Sequence, residues 1–207
     1  MNKPEDFEKL SHLDEATILV ISDSHRNVEN FRKVLESFSE HCDALAFCGD
    51  GAYDYGSLFD STCTNPKDEN LFPPVSVFVR GNGDPSYIPT DIPPHTMDVP
   101  ESVVLEAAGT KILILHGHGQ GVYFGDEFFL EQAEKNGCSI ILHGHTHIAR
   151  HTYYERGKHI ICPGSISLPR GGTEKSFCIL TIKGSYIDAA FKKITPAGFE
   201  SFTPAGL

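Results

Sequence analysis

A chain of 207 residues with 40% hydrophobic and 22% charged side chains has the mixture of a globular domain with one core of ordinary size. Its formal charge of −11 excludes a dedicated nucleic-acid binder, because phosphate backbones are gripped by Lys and Arg clusters that this sequence does not show. No apolar run approaches the roughly 20 residues of a membrane span, and the acidic opening MNKPEDFEKLSHLDEA has no signal-peptide core, so the expected compartment is the cytoplasm.

Residues 1–16 read as an extension ahead of the first strand. From Thr17 to Leu142 short apolar runs recur: TILVIS, ALAFC, VSVFV, KILIL and SIIL. Continuous runs of this kind suit strands buried on both faces of a sheet. Between the first two lies VENFRKVLESFSE, whose Phe31, Val34, Leu35 and Phe38 fall at helical spacing. DSTCTNPKDENLFPP, residues 60–74, reads as a loop, and residues 85–100 are broken by Pro85, Pro89, Pro93, Pro94 and Pro100. DEFFLEQAEKNG is a second helix, ending at Gly137. After Ile148 the pattern turns antiparallel: RHTYYE with KHIICPGSIS around Gly157, then SFCILTI with SYIDAAFKKI around Lys183-Gly184. Residues 17–194 are expected to form one α/β domain with parallel or mixed strands, and residues 195–207, TPAGFESFTPAGL, a C-terminal tail. Cys42, Cys48, Cys63, Cys138, Cys162 and Cys178 contain no CxxC pair, which points to reduced thiols rather than a zinc-thiolate or redox site.

The polar residues at the end of each apolar run carry the chemistry. The runs end in Asp23-Ser24-His25, Gly49-Asp50, Gly81-Asn82-Gly83-Asp84, His116-Gly117-His118 and His143-Gly144-His145-Thr146-His147. Ligands of open α/β sheets bind outside the carboxyl ends of the strands, so the five clusters converge. Carboxylate, imidazole and amide donors without thiolate suit manganese, iron, zinc, cobalt or nickel. Enough donors exist for two ions. Two cations roughly 3.5–4 Å apart hold a hydroxide between them and neutralise charge in an in-line displacement at phosphorus.

The ordered motifs DSH, GD, GN, HGH and GHTH resemble the signature of the calcineurin-like metallophosphoesterases. PGSISLPRGG, Pro163 to Gly172, is similar to the segment after GHTH in the small YfcE-type phosphodiesterases. The resemblance spans roughly residues 17–192 and implies a four-layer α/β/β/α sandwich of two mixed β-sheets with a dinuclear site at their edge. It implies that Asp23, His25 and His147 hold one ion together with Asp50. Asp50 then bridges to a second ion completed by Asn82, His116 and His145. The implied activity is metal-dependent hydrolysis of a small phosphodiester, manganese being the first expectation for both ions. A phosphomonoesterase with the same site, or a non-catalytic metal-bound scaffold, stays open as an alternative, as does homo-oligomerisation.

One departure matters. Many members carry a histidine after the GN asparagine, where this chain has Gly83, so the proton donor is unassigned. His118 is the candidate that orients the phosphate or protonates the leaving oxygen, against the alternative that it only lines the cleft. Arg170 is a candidate bidentate donor to the phosphate, against an exposed turn residue. Asp84 is expected to fix the GN turn or a nearby histidine, and His143 to serve structure or orient a ligand.

Overall fold

The computed structural model describes residues 2–119, 121–123, 125–155 and 157–204. In chain order its elements are helix α1 (Pro4–Ser11), strand β1 (Ala16–Ile21), α2 (Val28–Phe38), β2 (Ala44–Phe47), α3 (Ala52–Thr64), β3 (Val75–Phe78), β4 (Tyr87–Pro89) and β5 (Thr96–Asp98). The second half holds β6 (Ser102–Ala107), β7 (Thr110–Leu115), α4 (Glu127–Asn136), β8 (Ile140–Leu142), β9 (Arg150–Tyr154), β10 (Lys158–Cys162), β11 (Ser176–Lys183), β12 (Tyr186–Thr195) and β13 (Gly198–Phe202). One sheet runs β13-β12-β11-β1-β2-β3, a second β6-β7-β8-β10-β9, and β4 pairs with β5 as a separate ribbon.

Side chains alternate across a strand, and the buried strands use both faces. In β1, Ile18 and Val20 point between the sheets, where they meet Ile112, Ile114, Ile140 and Leu142 of the other sheet. Leu19 and Ile21 point the opposite way, onto Phe31, Val34 and Leu35 of α2. On the far side, Phe129 and Ala133 of α4 pack on Leu113, Leu115 and Ile141. Helix, sheet, sheet and helix therefore stack in four layers around these apolar clusters. Parallel pairing of β1 with β2 and of β2 with β3 sends all three carboxyl ends the same way, and β7 and β8 are parallel in the other sheet.

Three segments differ from the sequence-based expectation. The stretch expected as loop begins inside α3, which continues to Thr64; Ala52, Tyr55 and Leu58 are its buried stripe, and their spacing is diluted by Gly56 and polar neighbours. Residues 198–202, expected within a tail, extend the first sheet as β13 because β12 offers an edge and two aromatics anchor the new strand. Phe199 rests edge-on against Phe38 and Phe177, and Phe202 meets Phe191. The N-terminal extension also packs on the domain: Leu10 is buried in the inter-sheet core, and Asn2 exchanges side-chain hydrogen bonds of 2.8 and 2.7 Å with the Ser76 backbone along the edge of β3. No helix among the described residues is long and apolar enough to cross a membrane.

Candidate metal centre

Five strand ends deliver the site. Asp23 and His25 follow β1, Asp50 follows β2, Asn82 and Asp84 follow β3, His116 follows β7, and His145 and His147 follow β8. The chain turns sharply at these ends, with φ of +55° at Asp23, +44° at His25, +57° at Asp50, +66° at His145 and +60° at His147. Left-handed backbone in non-glycine residues costs on the order of 1–3 kcal/mol each, so surrounding structure must hold them.

That holding is visible. Asp23 N–H donates to Gly49 O at 2.9 Å and His25 N–H to Asp50 O at 3.0 Å. The hydroxyls of Ser165 and Ser167 both donate to the Asp23 carbonyl, at 2.7 and 3.0 Å, and Ser22 Oγ donates to Asp23 Oδ2 at 2.5 Å. Asp84 gathers four backbone N–H groups, from Asp50 (2.8 Å), Gly51 (3.0 Å), Ala52 (2.9 Å) and Gly81 (2.9 Å). It thus fixes the GN turn, ties it to the GD loop and satisfies orphan donors at the start of α3. The three serines were not singled out by sequence reasoning, although Ser165 and Ser167 lie in the PGSIS phrase.

One candidate ligand atom from each of Asp23, His25, Asp50 and His147 lies within 4.8 Å of all the others. Asp23 Oδ1 is 3.1 Å from His147 Nε2 and 3.7 Å from His25 Nε2, and the two imidazole nitrogens are 3.0 Å apart. Asp50 Oδ2 stands 3.7 Å from His25 Nε2 on one side and 3.5 Å from His116 Nε2 on the other. Asn82 Oδ1 lies 3.3 Å from His116 Nε2 and 2.9 Å from His145 Nδ1. All seven sequence-predicted ligands are therefore brought together, with Asp50 between two groups.

The donors fit cations. His147 Nδ1 faces the Leu168 carbonyl at 2.6 Å and His116 Nδ1 faces the Cys48 carbonyl at 2.7 Å. A carbonyl only accepts, so each Nδ1 carries the hydrogen and each Nε2 lone pair points into the cluster. Asp23 Oδ1 is buried there without a hydrogen-bond partner. Buried lone pairs facing one another in this way call for positive charge between them. The titration shifts agree. Burial alone pushes the Asp23 carboxyl up, yet the His147 and His25 imidazoles, 3.1 and 3.7 Å from Oδ1, and the nearby His116 outweigh it and hold the group well below the usual range. Burial likewise opposes Asp50 ionisation, and His116 with the Gly83 N–H overcomes it. The Asp23 carboxylate, 3.7 Å away, raises His25 against its burial; for His116, burial is overridden by Asp50 and Asp23.

The remaining candidates separate. His143 is buried, stacks on Phe129 at 4.7 Å between centroids, and places Nδ1 3.0 Å from the Gly144 carbonyl while Nε2 has no partner. It reaches no ligand side chain, and burial pulls its pKa down to about 4. His118 is half-buried, its ring 5.5 Å from that of His116 and 6.3 Å from that of His145. Burial, then the His116 charge, lower its pKa, so it is neutral at pH 7. Arg170 is exposed but not idle: Nη1 donates to Tyr123 Oη at 3.2 Å, and the Tyr123 ring lies 5.4 Å from His145. The largest cavity described, about 870 Å³, lies where the chain enters β2 and β3, at the opposite end of the sheet, and shares no residue with this site.

Close packing leaves no room for extra atoms. A Cβ on Gly144 would strike Ser22 Oγ and come within 2.8 Å of Asp23 Oδ2 and the Cys48 carbonyl. Gly144→Ala is expected to destabilise the fold by about 1–3 kcal/mol, read by urea unfolding, and to weaken cation binding in titration calorimetry. Wild-type values for both would disprove the tight packing.

The chain is 31% identical over 174 residues to the protein named probable metallophosphoesterase YsnB of Bacillus subtilis (strain 168), covering 84% of this chain and 89% of the relative. It is 29% identical over 133 residues to phosphodiesterase MJ0936 of Methanocaldococcus jannaschii, covering 62% of this chain and 71% of that one. A crystal structure of a conserved protein from Streptococcus pneumoniae TIGR4, described as a predicted phosphoesterase, superposes with a TM-score of 0.66 at 26% identity, covering 91% of this chain and 97% of the other. Residues 17–185 match the calcineurin-like phosphoesterase superfamily domain, and the chain belongs to that superfamily.

Proposed function

We propose that this chain is a metal-dependent phosphodiesterase working on a small phosphodiester with two divalent transition-metal ions, manganese first among zinc, iron, nickel and cobalt. The observation that carries the reading is Asp50 Oδ2, standing 3.7 Å from His25 and 3.5 Å from His116 between two groups of donors. Asp23, His25, His147 and Asp50 would hold one ion; Asp50, Asn82, His116 and His145 the other. When bound, such ions lower the pKa of water toward about 7 and neutralise charge at phosphorus.

The chain's own groups do the rest. Ser165 and Ser167 hold the Asp23 backbone, and the Cys48 and Leu168 carbonyls fix the tautomers of His116 and His147, so no reorganisation is needed as charge develops. Asn82 points its carbonyl oxygen at His116 and His145, which leaves its amide N–H₂ to donate to a phosphoryl oxygen. His118, neutral at pH 7, donates a hydrogen bond to the phosphate, and Arg170 reaches the same group from the Tyr123 side. The name of the archaeal relative supports the diester, as does Gly83 where many family members carry a histidine. Six unpaired cysteines, five of them buried, support a reducing cytoplasm.

The test is hydrolysis of bis-p-nitrophenyl phosphate beside p-nitrophenyl phosphate by metal-stripped protein with Mn²⁺, Zn²⁺, Ni²⁺ and Co²⁺ restored singly. Diester cleavage should return with metal and vanish in Asp50→Ala. Protein that binds two ions and cleaves neither ester would be a scaffold instead, and preference for the monoester would make it a phosphomonoesterase.

A further inference from the structure

Two clefts adjoin the metal centre, and His25 and Arg26 line both. The smaller, about 100 Å³, also touches Tyr53 and Gly83. The larger, about 580 Å³, is bounded by Asn27, Val28, Ser167, Leu168 and Lys175. Its wall is tied to the metal ligands: the Leu168 carbonyl holds His147, Ser167 Oγ holds the Asp23 carbonyl, and Asn30 Nδ2 donates to the Ile166 carbonyl at 2.7 Å. The cleft is consequently built to the same tolerance as the centre.

Two cations line it. Arg26 and Lys175 are exposed, and among the described residues neither makes an ion pair, so both guanidinium and ammonium are free to meet an anion held beside the metal centre. Glu29, the carboxylate lining the larger cleft, is already taken by Lys33 at 2.7 Å. The Arg26 backbone sits in a left-handed turn, φ +65°, two residues after Ser24, whose Oγ donates to Asp54 at 2.5 Å. Val28 and Leu168, 37% and 54% exposed, line the same cleft as the two cations and offer apolar surface beside them. A plain dialkyl phosphate would use the metals and leave both cations and this surface idle.

We propose that the substrate is an asymmetric phosphodiester whose larger arm is a phosphorylated nucleoside, its second phosphate held by Arg26 and Lys175 and its sugar and base lying over Val28 and Leu168. The smaller arm occupies the cleft beside Tyr53. This rests on the phosphodiesterase reading for the scissile bond, but the recognition of the larger arm is measurable without turnover.

The experiment is titration calorimetry of manganese-loaded protein with thymidine 3′,5′-bisphosphate and with thymidine 5′-monophosphate. The bisphosphate should bind at least about tenfold more tightly, an advantage that shrinks with added salt. Arg26→Gln with Lys175→Gln should bring the ratio near one, and Lys175→Arg should keep it. Lys175→Gln alone, at an exposed position with no side-chain bond to lose, guards against a folding defect at the strained Arg26. Equal affinities in the wild type, or an advantage that the double variant retains, overturns the proposal. Release of nitrophenol from thymidine 5′-(p-nitrophenyl phosphate) is read separately. Bisphosphate preference without release upholds the cleft while the hydrolytic reading falls; release without preference does the reverse.

Discussion

Replacement of Asp84 by alanine is expected to lower metal affinity or activity by about 10–100-fold and to destabilise the fold by about 3 kcal/mol or more, although Asp84 is not among the seven expected ligands. The carboxylate accepts from Asp50, Gly51, Ala52 and Gly81 at 2.8–3.0 Å. Those four residues are buried, so their N–H groups lose their partner without gaining water. Two of the four belong to the start of α3, where a negative charge also opposes the helix dipole favourably. The backbone at Asp50, strained at φ +57°, then relaxes and carries its carboxylate away from the point between the two donor groups. Asp84→Asn keeps part of the acceptor set and should recover part of both losses. Metal titration and urea unfolding of the two variants check this; Asp84→Ala with wild-type affinity and stability would remove Asp84 from any positioning role.

The second large effect is an acid sensitivity written into the core. His143 is 1% exposed, and burial holds its pKa at about 4 against 6.5 for an ordinary histidine. Because the folded-state value is depressed, the unfolded chain binds the extra proton first as pH falls. The contribution of neutral His143 is fully present above about pH 6.5 and is lost progressively between 6.5 and 4. At pH 4.5 the loss amounts to about 2–3 kcal/mol. His143→Leu removes the titration while still packing on Phe129. In metal-free protein the stability difference between wild type and variant should therefore shift toward the variant by that amount between pH 7.5 and 4.5. A difference that stays constant with pH would show that His143 titrates normally.

Sequence periodicity made the strands and the convergence of the polar groups at their ends legible for one physical reason: both are written at the same places. A strand buried on two faces must be continuously apolar, so TILVI, ALAF and IIL stand out, and each is followed by the polar group it delivers. Less legible were elements whose reasons for existing lie elsewhere in the chain. Helix α3 takes its N-terminal satisfaction from Asp84, thirty-two residues beyond Ala52. Strand β13 depends on Phe38 and Phe177 for its anchor, and β6 turns only alternate residues, Val103, Leu105 and Ala107, toward the core, so it lacks a continuous apolar run. His143 shares a phrase with two expected ligands yet turns to Phe129, and only packing could distinguish it from His145 and His147. Ser165 and Ser167 act on a carbonyl, an acceptor that every residue owns, so no side-chain pattern announces them.

The origin of the donors has a mechanical meaning. Asp23, His25, Asp50 and Asn82 follow strands of the six-stranded sheet, while His116, His145 and His147 follow strands of the five-stranded one. Cations held by all seven would rivet the two sheets together at one rim, where the apolar filling between them gives way to polar loops. Prying the layers apart would then require releasing the ions, and an ion could leave only as the rim loosens. Each would guard the other: occupancy would add RT ln(1 + [metal]/Kd) to the resistance against sheet separation, and cohesion of the sheets would set how slowly the ions escape.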